Sequence, residues 1–314
     1  DGVVDINTLR DENGLKIIRH ELKTFVCEGE YQRGFYRILD TYLRHMDQPK
    51  QPAVWVSGFF GSGKSHLVKM LGYLWDNFKF PDGETARSIK QLPDDVGDQM
   101  TELDRKQKLH GKLMVSGTLK DFPSADIRYS FLQLFLSKLN LPQQYHLFKF
   151  IYWAKSENIY DEIKAIIESN GKDFKKEYEN LFFSTAIAKA ILQVRPSFAH
   201  DEGNVKEYLK LNFKRVESVS REQLITTIKD EALPLIFSDI PCTAIILDEV
   251  QQFIGNDGNK TLDIQNLAQD ICSNFKGRFL LIGTGQSSLS ETPYLQPLQD
   301  RFTVKISLSD TDVE

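Results

Sequence analysis

Two short clusters carry residue types at spacings that can do chemistry. The first lies in AVWVSGFFGSGKSHLVKMLGYL, residues 53–74, where Gly58, Gly63, Lys64 and Ser65 fill the fixed positions of G-x-x-x-x-G-K-[ST]. Gly58, Gly61 and Gly63 have no Cβ, so the backbone between them can curl and turn successive N–H groups toward an anion. Polyphosphate is the natural occupant, because the helix expected to start near Lys64 adds the positive end of its dipole to those donors. Lys64 is expected to neutralise the β- and γ-phosphate oxygens and Ser65 to ligate Mg²⁺. Phe59, Phe60, Ser62 and His66 complete the nucleotide-binding loop, with His66 a filler of the helix rather than a base.

The second cluster is Asp248-Glu249, closing the apolar run Ala244 to Leu247. A phosphate loop needs such a pair on a neighbouring strand: Asp248 to hold Mg²⁺, often through water, and Glu249 to polarise the attacking water. Further on, FLLIGTGQ brings Thr284 and Gln286 to a strand end, where one of the two can sense the γ-phosphate or orient the water. Arg301, in LQDRF, stands where it can reach a neighbouring subunit's nucleotide or pair with Asp300 or another carboxylate. A guanine-specific site would carry Asn-Lys-x-Asp. The nearest string, Asn259-Lys260-Thr261-Leu262, lacks the Asp, so ATP is the expected nucleotide.

These residues need a scaffold. The run V-W-V before the loop, KLMVSGT (112–118), TAIIL (243–247), FLLIG (279–283) and TVKISL (303–308) read as five parallel strands of an α/β sheet flanked by helices. In such a sheet the active groups gather at the carboxyl ends of the strands. The Glu beside Asp248 favours the branch of these NTPases with an extra strand between the two motif strands, and KLMVSGT is the expected extra strand. Helices are expected from Tyr31 to Asp47, after Lys64, and from Asp126 to Leu139. The first 30 residues, with alternating Val3, Val4 and Ile6, read as an irregular or β-containing lead-in, and Pro81 to Leu109 as a polar connection. The expected partition is a lead-in and packing helix over 1–52, an ATPase core over 53–140 and 238–314, and a helical insertion over 141–237.

Composition excludes several classes. With 314 residues and 41% apolar content the chain can bury a large core, and a net charge of −5 argues against wholesale binding to nucleic acid or acidic membranes. The one basic stripe, Lys206, Lys210 and Lys214 with Arg215 beside it, lies in a tract (141–230) with 14 basic against 13 acidic side chains, so charge does not support DNA contact. Cys27, Cys242 and Cys272 are far apart and lack metal-ligand spacing, which fits a reducing cytosol. No apolar run approaches the ~18 to 20 residues of a membrane span. The chain lacks an initiator Met and stops just after an apparent strand, so it is expected to be a fragment of something longer.

The order GFFGSGKS, KLMVSGT, AIILDE, LLIGTGQ, DRF resembles an AAA+ ATPase core: Walker A, second strand, Walker B, sensor 1 and the arginine-containing box. That resemblance implies ATP hydrolysis coupled to conformational change in oligomers, and a helical lid for which nothing after Leu308 leaves room. More narrowly, ELKTFVCEGEYQRGFYRILDTYL running into the phosphate loop, with LDEVQQFIG later, is similar to the amino-terminal ATPase region of the BrxC/PglY proteins of BREX phage-defence systems. It implies partners among the other subunits of a defence complex and a homo-oligomer at full length. A nucleotide-gated STAND-like signalling switch and an origin-recognition or helicase-loader type DNA remodeller are the rival readings.

Overall fold

The apolar runs around the two motifs pair edge to edge in one parallel sheet. A computed structural model describes residues 12–59, 61–122 and 124–308. Its strands are β1 (Val54–Gly58), β2 (Lys112–Gly117), β3 (Cys242–Leu247), β4 (Phe279–Gly285) and β5 (Val304–Leu308), in the spatial order β2-β3-β4-β1-β5. All four pairings are parallel, with Ile245 opposite Leu281, Trp55 opposite Gly283 and Val56 opposite Ile306. Central β3 and β4 are buried throughout, as unbroken apolar runs require. Edge strand β5 alternates instead, burying Val304, Ile306 and Leu308 while Ser307 faces out.

Because the strands are parallel, their carboxyl ends share one edge of the sheet. That edge receives the phosphate loop after β1, Asp248 after β3 and the Thr284 end of β4. The strand lying between the two motif strands is β4, and KLMVSGT forms the sheet edge beside β3, which corrects the expectation above. Sequence order suggested the wrong neighbour because pairing is decided by packing across the sheet, not by position along the chain.

Among the described residues, two helices precede the sheet. The first, α1 (Glu12–Thr24), buries Ile18 and Leu22 completely and ties Glu21 to Lys69 at 2.8 Å. It replaces the irregular or β-containing lead-in expected there, because its apolar stripe of Leu15, Ile18 and Leu22 is a narrow one among charges. Residues 1–11, with Val3, Val4 and Ile6, lie outside the described residues. The second, α2 (Gly29–His45), buries Phe35, Ile38, Leu39 and Tyr42 against the sheet, and its Gly34 lets Ile306 of β5 approach closely. After the loop, α3 (Lys64–Asp76) buries Leu67, Met70, Leu71 and Leu74. The stretch expected as a polar connection holds a helix over Asp94–His110, with Asp94 and Asp95 in its first turn and Lys108 and His110 in its last, matching the helix dipole. It buries Val96, Met100, Leu103 and Gln107, one residue per turn, too sparse a stripe to stand out among its charges.

The chain divides into two compact units, one holding the sheet and the other spanning Phe135–Val219. The second is built of helices around its own core of Phe150, Ile163, Ile187, Ile191, Val205 and Leu209. Against the 141–237 expected from spacing, it begins earlier, at Phe135, and ends earlier, at Val219, because residues from Ser220 onward belong with the sheet. Arg221 and Arg128 each direct Nε at 2.8 Å to one oxygen of Asp270, whose side chain is 3% exposed on the helix Gly258–Asn274. In the helical unit the expected lysine stripe is interrupted: its helix ends at Asn212, before Lys214, and Lys206 is bonded to Thr185 while Lys210 lies over the Phe183 ring.

At the amino ends of the strands, Arg278 is the buried charge that organises the connections. Its guanidinium holds Asp47 at 2.9 Å and Asp239 at 2.5 Å, and its carbonyl accepts from the Tyr42 hydroxyl. The bond from Arg278 holds the Asp239 carboxyl down at about 2, below the ordinary 3.8. A carboxyl depressed in the fold contributes stability above its unfolded pKa and loses it as pH falls through about 4 toward about 2. Asp239→Asn is therefore expected to cost about 1 kcal/mol at neutral pH, scaled down for the carboxylate's partial exposure, and to match wild type near pH 2. Urea unfolding of both proteins across that range checks it, and a constant gap at every pH would refute it.

Candidate functional site

The phosphate loop takes its shape from close approaches that only glycine permits. A Cβ on Gly58 would overlap the Ser62 hydroxyl and sit 2.8 Å from the Leu308 carbonyl. Gly61 and Gly63 have φ of 90° and 80°, in the left-handed region, and a Cβ on Gly63 would collide with the Tyr31 hydroxyl of α2. That hydroxyl donates to the Ser62 carbonyl at 3.3 Å, so α2 backs the loop from behind. Helix α3 begins at Lys64 with no side chain capping its first turn, leaving the dipole's positive end directed at the loop.

Lys64 folds onto this loop, its ammonium donating to the Phe59 carbonyl at 2.8 Å. Burial draws its pKa below the ordinary value, and the charge of Asp248 offsets part of that. Asp248 is 2% exposed. One of its oxygens accepts from the Thr284 hydroxyl at 2.5 Å and from the Glu249 N–H at 3.0 Å. The other, Oδ2, is buried with no hydrogen-bond partner among the described residues, beside Lys64 and Ser65 in the same cavity. A buried carboxylate oxygen without a donor is costly unless a cation meets it, so the residues present fit a magnesium ion.

Glu249 sits at φ 55°, ψ 32°, a left-handed conformation rare for a residue with a side chain. Its N–H is held by Thr284 Oγ1 at 2.9 Å, and its carboxylate accepts from Lys120 at 3.1 Å. Lys120 also donates to Gln252 at 3.0 Å. Nothing in the sequence marked Lys120 beyond its place just after the strand KLMVSGT, or Gln251 and Gln252 beyond adjacency to the acidic pair.

Gly61, Gly63, Lys64, Ser65 and His66 line one cavity of about 390 Å³ with Asp248, Glu249, Thr284 and Gln286. His66 turns its ring to Phe25, at 5.4 Å between centroids, and burial lowers its pKa. Thr284 is 2% exposed and its hydroxyl is committed to Asp248 and Glu249, whereas Gln286 is exposed at the cavity. Ser62 is buried and Phe59 is 41% exposed, and Phe60 lies outside the described residues. Arg301 is not brought to this cavity. It precedes β5, at the amino ends of the strands and away from the carboxyl-end cavity, and lines a separate cleft of about 240 Å³ with Lys50 and Gln51. Its Nε is buried there without a partner among the described residues, and no ion pair with Asp300 forms.

The structure therefore gathers a glycine-rich loop, a lysine, a buried unpartnered carboxylate oxygen and a second carboxylate at the carboxyl ends of the strands. The model of one family, described as the KAP family P-loop domain, matches residues 33–280, from α2 into β4. Lys64, Asp248 and Glu249 fall inside the matched stretch, while Thr284, Gln286 and Arg301 lie just beyond it.

Proposed function

The chain belongs to the KAP family of P-loop domains, and on that premise we propose that it binds ATP as its magnesium complex and hydrolyses it. The observation that carries the reading is the buried, unpartnered Asp248 Oδ2 in the cavity that also holds Lys64, Ser65 and Glu249. Lys64 and the loop N–H groups would bind the β- and γ-phosphates, and Ser65 and Asp248 would hold the metal. When bound, the metal supplies charge neutralisation on the phosphate oxygens. Glu249 would accept the proton of the attacking water, and Gln286, exposed at the cavity, would orient that water. Arg301, remote from its own chain's cavity, would act on the nucleotide of a neighbouring copy.

The likeness to BrxC/PglY proteins supports placing this ATPase among the subunits of a multi-protein anti-phage assembly, and that role rests on sequence likeness alone. No feature of the cavity favours a signalling switch or a DNA remodeller. Phosphate release from ATP by the purified protein, with Mg²⁺ and with a chelator, tests the proposal. Magnesium-dependent release supports it. Failure to bind ATP in calorimetry, or release that ignores the chelator, would end it.

A further inference from the structure

Gln251 lies two residues past Glu249, on the short helix Val250–Ile254. Its carboxamide oxygen accepts two consecutive backbone N–H groups, from Gln286 at 2.6 Å and Ser287 at 2.9 Å. Its Nε2 donates to the Ser287 hydroxyl at 3.3 Å and to the Tyr294 hydroxyl at 3.4 Å. From the other side, Trp55 of β1 donates its indole N–H to the Ser287 carbonyl at 3.1 Å. Gly285 is what lets these groups close in, since a Cβ there would strike the Trp55 ring and stand 2.9 Å from the Gln251 oxygen. One residue earlier, Thr284 bridges Asp248 and the Glu249 N–H. The segment 284–287 is thus stitched to 248–251 through Thr284, Gln286 and Ser287, and a single side chain takes up the N–H of Gln286, the exposed residue at the cavity.

We infer that Gln251 is a positioning residue that fixes where the Gln286 side chain stands relative to Glu249. The inference rests on the ATPase reading and extends it. An exposed glutamine at a loop has many backbone and rotamer states, and orienting a water requires one of them. Two N–H groups clamped by one acceptor remove the backbone freedom. A change in the tilt of the Asp248-Glu249 turn would move the loop of Gln286 with it, because the acceptor rides on the helix which that turn begins.

The test uses two variants of nearly the same length. Gln251→Met keeps the bulk and removes both acceptor and donor, whereas Gln251→Glu keeps an acceptor for the two N–H groups. In hydrogen exchange, the Gln286 and Ser287 amides are expected to lose protection in Gln251→Met and retain it in Gln251→Glu. That arm reads the clamp whether or not the chain turns over ATP. In turnover, Gln251→Met is expected to lower kcat by about ten- to a hundredfold, the scale seen when a contact supporting a functional group is removed. Its affinity for ATP should stay within about twofold, and Gln251→Glu should recover most of the kcat at saturating ATP. Unchanged amide protection in Gln251→Met would overturn the clamp. Equal losses of kcat and ATP affinity, or a loss of kcat not recovered by Gln251→Glu, would overturn the positioning role. If wild type itself releases no phosphate, the ATPase reading falls separately from the exchange result.

Discussion

Glu249→Gln is expected to bind ATP as tightly as wild type and to hydrolyse it about a hundred- to ten-thousandfold more slowly, the range associated with loss of a general base. The change removes a proton acceptor while keeping shape and length. The phosphate loop is untouched, as is the backbone N–H through which this residue bonds Asp248 and Thr284. The one contact that weakens is the ion pair with Lys120 at 3.1 Å, which an amide oxygen can still satisfy as a neutral hydrogen bond. Calorimetric titration with ATP and steady-state phosphate release together decide the matter. Turnover at the wild-type rate would remove Glu249 from the chemistry, and loss of binding would show that its role is structural.

Lys64→Ala should act on the other half of the site. The ammonium is half-buried, lies on the Phe59 carbonyl and is held below its ordinary pKa by burial, so its charge is poorly solvated. An incoming phosphate gives that charge a partner, and without the lysine ATP affinity is expected to fall about ten- to a hundredfold, the value of one charge-assisted contact. The melting temperature without nucleotide should change little, because among the described residues the lysine makes one hydrogen bond, to an exposed loop. What should disappear is the stabilisation that ATP confers on wild type. Equal ATP-induced stabilisation in both proteins would place the nucleotide elsewhere.

Much of this site was legible because its chemistry forces fixed spacings. A phosphate cradle cannot be made without glycines near Lys64, and a buried central strand ending in Asp248-Glu249 stands out from its neighbours. The five strands were legible for a similar reason, as short apolar runs between turns. Illegible were features settled by contact at a distance. Which strand separates the motif strands depends on pairing, and β2 took the edge. The helices Glu12–Thr24 and Asp94–His110 bury too few residues per turn to announce themselves among charges. The end of the helical unit is set by two arginines meeting Asp270, separated from it by 142 and 49 residues of chain. Lys120 and Gln251 are ordinary polar residues until the fold sets them beside Glu249 and Gln286.

The Tyr31 hydroxyl fills the space behind Gly63, and Glu21 of the preceding helix pairs with Lys69 one turn further along α3. A version of this protein trimmed back to its first strand would carry every residue of the nucleotide signature and yet present a loop with an empty backing. Such a piece should be judged a damaged domain rather than a minimal one, and any truncation series meant to find the smallest working unit has to keep the two leading helices.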